Sequence, residues 1–208
     1  LSRQFIMIET AGLVTFAFVS SLTPGPNNVL MTSLGASMGI RRSLPALFGI
    51  AFGIAVMIFL ISIGMGRFIT EAGATLTIGM RFVGFAIILW MAWQIAAAPV
   101  SEVEVREEAP SPTGGLRTFF GTASFQWVNP KAWIICASVI TAYLDQETSL
   151  FQQAIVFALV FVFAALAGCT PWLLAGNSIG RLLQGTRARL FNRIMAVLLV
   201  GSMIPIIH

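Results

Sequence analysis

The sequence has 208 residues, of which 57% are hydrophobic and 10% are charged, with a net charge of +4. A soluble domain usually carries about 25% charged residues, so this chain lacks the polar groups to cover a globular surface, and lipid must be its solvent. The basic residues lie in short segments between apolar runs. That is the pattern of a membrane topology signal, and it argues against a nucleic-acid partner.

Six apolar stretches predict an all-α, polytopic membrane protein. A crossing helix needs about 20 apolar residues, so about six crossings fit and no separate soluble domain does. The stretches cover residues 5–22 continuing to 40, 44–66, 78–98, 117–143, 151–174 and 190–207. A polar linker at residues 99–116 is expected to divide one integrated transmembrane domain into two three-helix repeats, 1–98 and 117–208.

The distribution of arginines predicts the orientation of the helices. With six crossings, eight basic residues fall on one side and three on the other, which places the larger set in the cytoplasm and both termini outside. If residues 5–40 dip in and return, the count drops to five and the N-terminus moves inside. The two sets are Arg41, Arg42, Arg106, Arg117, Arg181, Arg187, Arg189 and Arg193, against Arg3, Arg67 and Arg81.

The first stretch is interrupted by TPGPNN at residues 23–28. Spanning segments are unbroken helices by default, because lipid offers no partner to a free amide or carbonyl, and Pro24 and Pro26 each remove an amide hydrogen. We therefore expect one helix to end near Leu22 and another to begin at Pro26. Carbonyls at one helix end and amides at the next helix start suit the ammonium and carboxylate of a zwitterion. The alternative is a proline kink that the Asn side chains repair.

A second break, QWVNPK at residues 126–131, interrupts the fourth stretch about half a chain length later. Matching interruptions in the two halves of a transporter are the best sequence indicator of its binding site. Three crossings in each half make the halves run in opposite directions, as in inverted-repeat transporters. The predicted substrate-binding residues are Thr23, Pro24, Gly25, Pro26, Asn27, Asn28, Gln126, Asn129, Pro130 and Lys131.

Lys131 is a charged residue with apolar sequence close on both sides. An ionisable group at membrane depth is costly and indicates function by default, so Lys131 is expected to bind a carboxylate or to titrate during transport. Its long stem could instead carry the ammonium to a lipid headgroup. Glu9 is the other candidate for proton coupling, although its place near a helix end also fits an interfacial residue.

Two glycine pairs at four-residue spacing follow the first break: Gly35 with Gly39, and Gly49 with Gly53. Small residues at this spacing let helices approach closely. We expect these glycines to allow tight packing around the first broken segment, with a homodimer face as the lesser use.

Three further features of the apolar stretches carry expectations. The pair Thr170-Pro171 is expected to kink the fifth stretch, with Asn177 beside the cavity. Cys136 and Cys169 both lie inside apolar runs and are interpreted as small buried hydrophobes rather than as a disulfide.

With these residues in view, the chain resembles the LysE/RhtB family of amino-acid exporters. The resemblance rests on TPGPNN at 23–28, on the glycines that follow and on VNPKA at 128–132, and it covers essentially the whole chain. It implies a multi-pass secondary exporter of small amino acids or close derivatives in the bacterial inner membrane, with protons as the coupling ion. The doubled Asn27-Asn28 is most similar to the branch that exports cysteine and O-acetylserine.

The predicted mechanism is alternating access, in which the two halves rock around a substrate between the two breaks. The helix start at Pro26 and Lys131 would bind the carboxylate, and the carbonyls near Thr23 and Pro24 would take the ammonium. The alternative is a channel for water or small neutral solutes built on two half-helices. Because the chain has no ATP-binding loop, no Cys/His cluster and no paired carboxylates within a span, we expect no cofactor, no metal and no enzymatic activity.

Overall fold

The computed structural model describes residues 2–65, 86, 89–90, 92–93, 95–97, 112–145, 148–180 and 185–201. Within these ranges the secondary structure is entirely helical, as the sequence predicts. The helices are α1 Ser2–Leu22, α2 Pro26–Leu60 with a π-helical extension Ile61–Met65, α3 Pro112–Phe125, α4 Pro130–Tyr143, α5 Leu150–Gly180 and α6 Thr186–Gly201.

Both predicted breaks lie where the prolines place them. The first helix ends at Leu22 and α2 starts with Pro26 in its first turn, after an extended Gly25. At the second break Pro130 begins α4, and Asn129 is its N-cap residue. Proline suits the first turn of a helix because its missing amide hydrogen would have no partner there anyway.

The chain between the first and second apolar stretches differs from the expectation. The sequence predicts a short loop around Arg41 and Arg42, but the structure has only a kink at Gly39, after which the chain is helical again. Gly39 has φ +76°, a left-handed conformation that glycine adopts without steric cost. The hydroxyl of Ser43 donates to its carbonyl at 2.7 Å. The two parts of α2 therefore meet at a single residue.

Several sequence expectations fall largely outside the described residues. The isolated described positions 86, 89–90, 92–93 and 95–97 are helical and belong to the third apolar stretch. Residues 99–111 of the expected linker, the side chains of Arg3 and Glu9, and the positions of Arg67, Arg81, Arg106 and Arg181 lie outside. The helix α3 begins at Pro112, within the segment expected to be linker.

Among the described residues, two helices are long and apolar enough to cross a membrane, Pro26–Gly64 and Leu150–Gly180. A shorter apolar helix covers Thr10–Leu22. The second long helix, α5, stays helical through Pro171, where the Thr170 hydroxyl donates to the Leu166 carbonyl at 2.6 Å.

Glycines set the contact between α2 and α5, the most extensive helix pairing in the described part of the chain. A Cβ on Gly35 would meet the Leu173 carbonyl oxygen, and a Cβ on Gly176 would meet the backbone of Thr32. Gly180 lies against Ala36 in the same way. The backbones of the two helices therefore approach as closely as small-residue interfaces allow.

Two more contacts of this kind hold the ends of the helices that precede the breaks. A Cβ on Gly53 would lie 2.5 Å from the Ala123 carbonyl oxygen of α3, and a Cβ on Gly168 of α5 would lie 2.6 Å from Ser21 Cβ of α1. Gly49 approaches α3 at Phe119. Each helix that ends at a break is thus held by a long helix from the other half of the chain.

The apolar core beneath these contacts joins α1, α2, α4 and α5. It includes Met57 and Ile58 of α2 and Phe161 of α5, none of them more than 1% exposed. Cys136 and Cys169 are both buried and free, which confirms their interpretation as small buried residues.

We expect Gly53→Ala to lower the thermal stability of the purified protein in detergent. The new methyl group would press on backbone atoms of α3 that cannot move aside, and overpacking of this kind costs about 1–3 kcal/mol. Gly121→Ala is the matched control, because nothing lies within 4 Å of a Cβ at that helical position. A melting temperature of Gly53→Ala equal to that of the control would contradict the close approach of α2 and α3.

Candidate functional site

The two breaks meet through three amide side chains. Asn27 Nδ2 donates to Gln126 Oε1 at 2.9 Å, and Gln126 Nε2 donates back to Asn27 Oδ1 at 3.1 Å, across a separation of 99 residues. Asn129 Nδ2 donates to the same Asn27 oxygen at 3.3 Å. Gln126 and Asn129 are at most 1% exposed. Because these buried amides bond one another, the cluster joins the two breaks without leaving their polar atoms unpaired.

The C-terminal carbonyls of α1 are capped by side chains from elsewhere in the chain. Asn28 Nδ2 lies within hydrogen-bond distance of the carbonyl oxygens of Ser21, Leu22 and Thr23, at 2.8–3.2 Å. The indole of Trp172, on α5, donates to the Leu22 oxygen at 3.1 Å. The last carbonyls of any helix lack intrahelical partners, and here α2 and α5 supply the donors.

Lys131 reaches the same helix end from α4. Its Nζ donates to the Thr23 carbonyl oxygen at 2.5 Å and lies 3.5 Å from the Pro24 oxygen. A cation is favoured beside the negative end of a helix dipole. In the structure the ammonium therefore lies at the first break.

Because Gly25 has no side chain, it leaves room for the Lys131 side chain. A Cβ at Gly25 would lie 2.8 Å from Lys131 Cδ and 3.1 Å from Nζ. Gly25 itself is extended, with φ −179°, a conformation open to any residue. Glycine thus leaves space for the lysine here and is not needed for backbone freedom.

The start of α2 differs from the start of α4. At α4, Asn129 Oδ1 accepts the Lys131 amide at 3.1 Å. At α2, the cap residue is Gly25, and no side chain caps the helix. The amides of Asn27 and Asn28 are therefore orphan donors at the positive end of a helix.

A small cavity of about 30 Å³ lies at the junction of the two breaks. That is enough for one or two water molecules and too little for an amino acid. Its walls come from the ends of α1 and α3 and from α2, α4 and α5. The lining residues are Ser20, Ser21, Gly25, Asn27, Asn28, Ile50, Ile54, Gln126, Asn129, Lys131, Ala132, Ile135, Phe161, Ala165 and Cys169.

The predicted substrate-binding residues are all gathered at this junction, in different roles. Six of them line the cavity: Gly25, Asn27, Asn28, Gln126, Asn129 and Lys131. Thr23 and Pro24 contribute the carbonyls that accept Lys131. Pro26 and Pro130 begin helices. The glycines Gly35, Gly49 and Gly53 lie at helix contacts and do not line the cavity, although Gly53 also contacts the cavity residue Gln126, and Gly39 forms the kink.

Sequence reasoning missed part of the cavity wall. Cys169 lies with its Sγ 3.5 Å from Asn28 Oδ1, although its apolar surroundings in the sequence indicated only a core residue. Ser20 and Ser21 also line the cavity, and their place directly before the first break was the available signal. Asn177, which was expected beside the cavity, instead lies near Gly39.

Comparison with known proteins identifies the family. A model of the LysE type translocator family matches residues 18–204. The chain belongs to this family. It is thus a member of a family of membrane transport proteins, as its sequence predicts.

This LysE-family chain is similar over nearly its full length to proteins named cysteine/O-acetylserine efflux protein. The relative from Salmonella paratyphi A is 29% identical over 194 residues, which cover 93% of this chain and 95% of the relative. The relative from Klebsiella pneumoniae is 29% identical over 197 residues, with 95% and 96% covered. The relative from Escherichia coli K12 is 26% identical over 195 residues, with 93% and 95% covered. No solved structure matches the chain.

We expect Asn28→Ala to destabilise the protein more than any change on its outer surface. The substitution removes the donor shared by three carbonyls at the end of α1. The Leu22 and Thr23 oxygens keep Trp172 and Lys131 as donors, so the main loss is at the Ser21 oxygen, and a polar group left unsatisfied costs about 1–3 kcal/mol. Thermal unfolding in detergent measures the effect. The exposed Ser37→Ala, which loses one bond within α2, is the control, and equal melting temperatures of the two variants would show that Asn28 does not cap α1.

Proposed function

We propose that this LysE-family chain exports small amino acids across the bacterial inner membrane by proton-driven alternating access. One observation carries the proposal. The Lys131 ammonium and the uncapped start of α2 lie on the same cavity, at the meeting point of the two helix breaks. No carboxylate among the residues that the structure describes pairs with Lys131, whose bonds go to carbonyl oxygens.

A carboxylate is the ligand that these groups fit. A cation inside a membrane protein without a carboxylate partner is costly, and helix N-terminal amides attract negative charge. A carboxylate placed in the cavity would gain the Lys131 ammonium and the amides of Asn27 and Asn28. Because charge-assisted hydrogen bonds are about twice as strong as neutral ones, these three groups favour an amino acid over a neutral solute such as water.

The cavity must widen before an amino acid can enter, and the chemistry of its walls indicates which side chain would fit. Phe161 and Ala165 of α5 and Ile54 of α2 close the apolar side of the cavity, while Cys169 and the amide cluster form its polar side. A short polar side chain suits such a pocket. The similarity to cysteine/O-acetylserine efflux proteins supports the same class, small amino acids with a thiol or ester side chain.

The contacts of the broken segments support six crossings in two inverted repeats. Gly53 of α2 packs on α3 just before the second break, and Gly168 of α5 packs on α1 just before the first. Each half thus contributes a broken segment and a long helix that holds the other half's broken segment. Rocking of two such units would expose the cavity first to one side and then to the other.

We expect Lys131→Ala to reduce the efflux of cysteine from preloaded vesicles by roughly tenfold to a hundredfold. The lost charge-assisted contacts are worth about 1.5–3 kcal/mol, and each 1.4 kcal/mol is a factor of ten. Arg193→Gln, which removes a positive charge from an exposed position on α6, should leave efflux unchanged. Normal efflux by Lys131→Ala, at equal amounts of protein in the membrane, would remove Lys131 from the substrate site.

The same vesicles test the coupling and the channel alternative. Collapse of the proton gradient with an uncoupler should slow cysteine efflux by the wild-type protein to the rate seen with preloaded vesicles that lack the protein. Saturation with increasing cysteine is expected for a carrier. Rapid, unsaturable flux that ignores the gradient would support a channel instead.

A further inference from the structure

We infer that Lys131 is a specificity-determining residue whose ammonium occupies the substrate's ammonium position until a carboxylate draws it away. The inference rests on the proposed function and deepens it. Until a substrate binds, the Lys131 ammonium fills the ammonium position, so that amines without a carboxylate are excluded.

The geometry places Lys131 where a substrate amine would bind. The carbonyls of Thr23 and Pro24 project from the end of α1, beside the cavity, and both lie within 3.5 Å of Lys131 Nζ. Such carbonyls, at the negative end of a helix, are the natural partners of a primary ammonium. In the structure this place is held by a primary ammonium belonging to the protein.

The position of Lys131 also leaves it free to exchange partners. Its side chain is only partly buried and lines the cavity, and its partners are carbonyls. The Thr23 oxygen keeps a second donor, Asn28 Nδ2 at 2.8 Å, when the lysine departs. A zwitterion in the cavity can therefore pair its carboxylate with Lys131 and give its own ammonium to the vacated carbonyls. Because a zwitterion has no net charge, the net charge of the site is the same before and after this exchange.

The exchange requires both charges of the ligand. A simple amine offers Lys131 no carboxylate and must compete with a cation that is already tethered at the site. A simple carboxylate draws Lys131 away but leaves the Thr23 and Pro24 carbonyls without their cation. An α-amino acid does both, so Lys131 acts as an internal competitor that selects zwitterions.

Ligand binding to the purified protein tests the inference with three compounds of similar shape. These are cysteine, cysteamine, which lacks the carboxylate, and 3-mercaptopropionate, which lacks the ammonium. The wild-type protein should bind cysteine and neither of the others. Lys131→Ala should lose cysteine affinity and bind cysteamine at least tenfold more tightly than the wild type does. Equal cysteamine affinity in the two proteins would overturn the inference.

Gly25→Ala provides a second variant in which the lysine is retained. The extended backbone of Gly25 accepts alanine, and the new Cβ would push on the flexible Lys131 side chain, 2.8 Å away at Cδ. This variant should gain cysteamine affinity although no charge has been removed. Gly121→Ala, where a Cβ meets nothing, should behave as the wild type. If Gly25→Ala binds no more cysteamine than Gly121→Ala, Lys131 does not keep amines from the Thr23 and Pro24 carbonyls.

Chemical rescue separates the inference from the identity of the substrate. Ethylammonium should raise the melting temperature of Lys131→Ala in a saturable way and leave that of the wild type unchanged, because only the variant has a vacant ammonium position. Rescue without amino-acid export by the wild type would refute the proposed function and keep the inference. Export by the wild type, with neither rescue nor a gain of cysteamine binding in Lys131→Ala, would support the proposed function and refute the inference.

Discussion

The end of α1 is the constraint on which the rest of this structure depends. The last carbonyls of a helix lack partners within the helix, and the Pro-Gly-Pro sequence prevents the chain from supplying donors by continuing the helix. Asn28, Lys131 and Trp172 supply them instead, from α2, α4 and α5. Because one helix end needs three other helices, their positions are fixed together, and the second break is brought to the first.

The polar groups around this helix end can exchange their hydrogen-bond partners. A core of apolar side chains resists insertion of any charged ligand, whereas the amides of Asn27, Gln126 and Asn129 and the Lys131 ammonium can trade one partner for another of equal polarity. In the structure these groups bond one another and leave little empty space. In the proposed transport cycle, opening of the site would break these directional bonds.

The sequence predicted what local chemistry decides and missed what depends on distant partners. Both helix boundaries at Leu22 and Pro26 follow from the prolines. The kink at Gly39 was missed because two arginines close to a glycine resemble a loop, and glycine permits a positive φ without requiring one. The contact of Lys131 with Thr23 spans 108 residues, so the spacing indicated a buried charge but not its partner. The role of Gly168 likewise depends on α1, to which nothing nearby in the sequence points.

The contact between Lys131 and Thr23 also has a consequence for biosynthesis. The chain emerges from the ribosome in order, and the first break is made long before α4 and α5, which carry Lys131 and Trp172. Until those helices are inserted, the end of α1 lacks two of its three capping side chains. The first half is therefore an incomplete unit in lipid, and the translocation machinery or a hydrated protein surface must shelter its open carbonyls until the second half arrives.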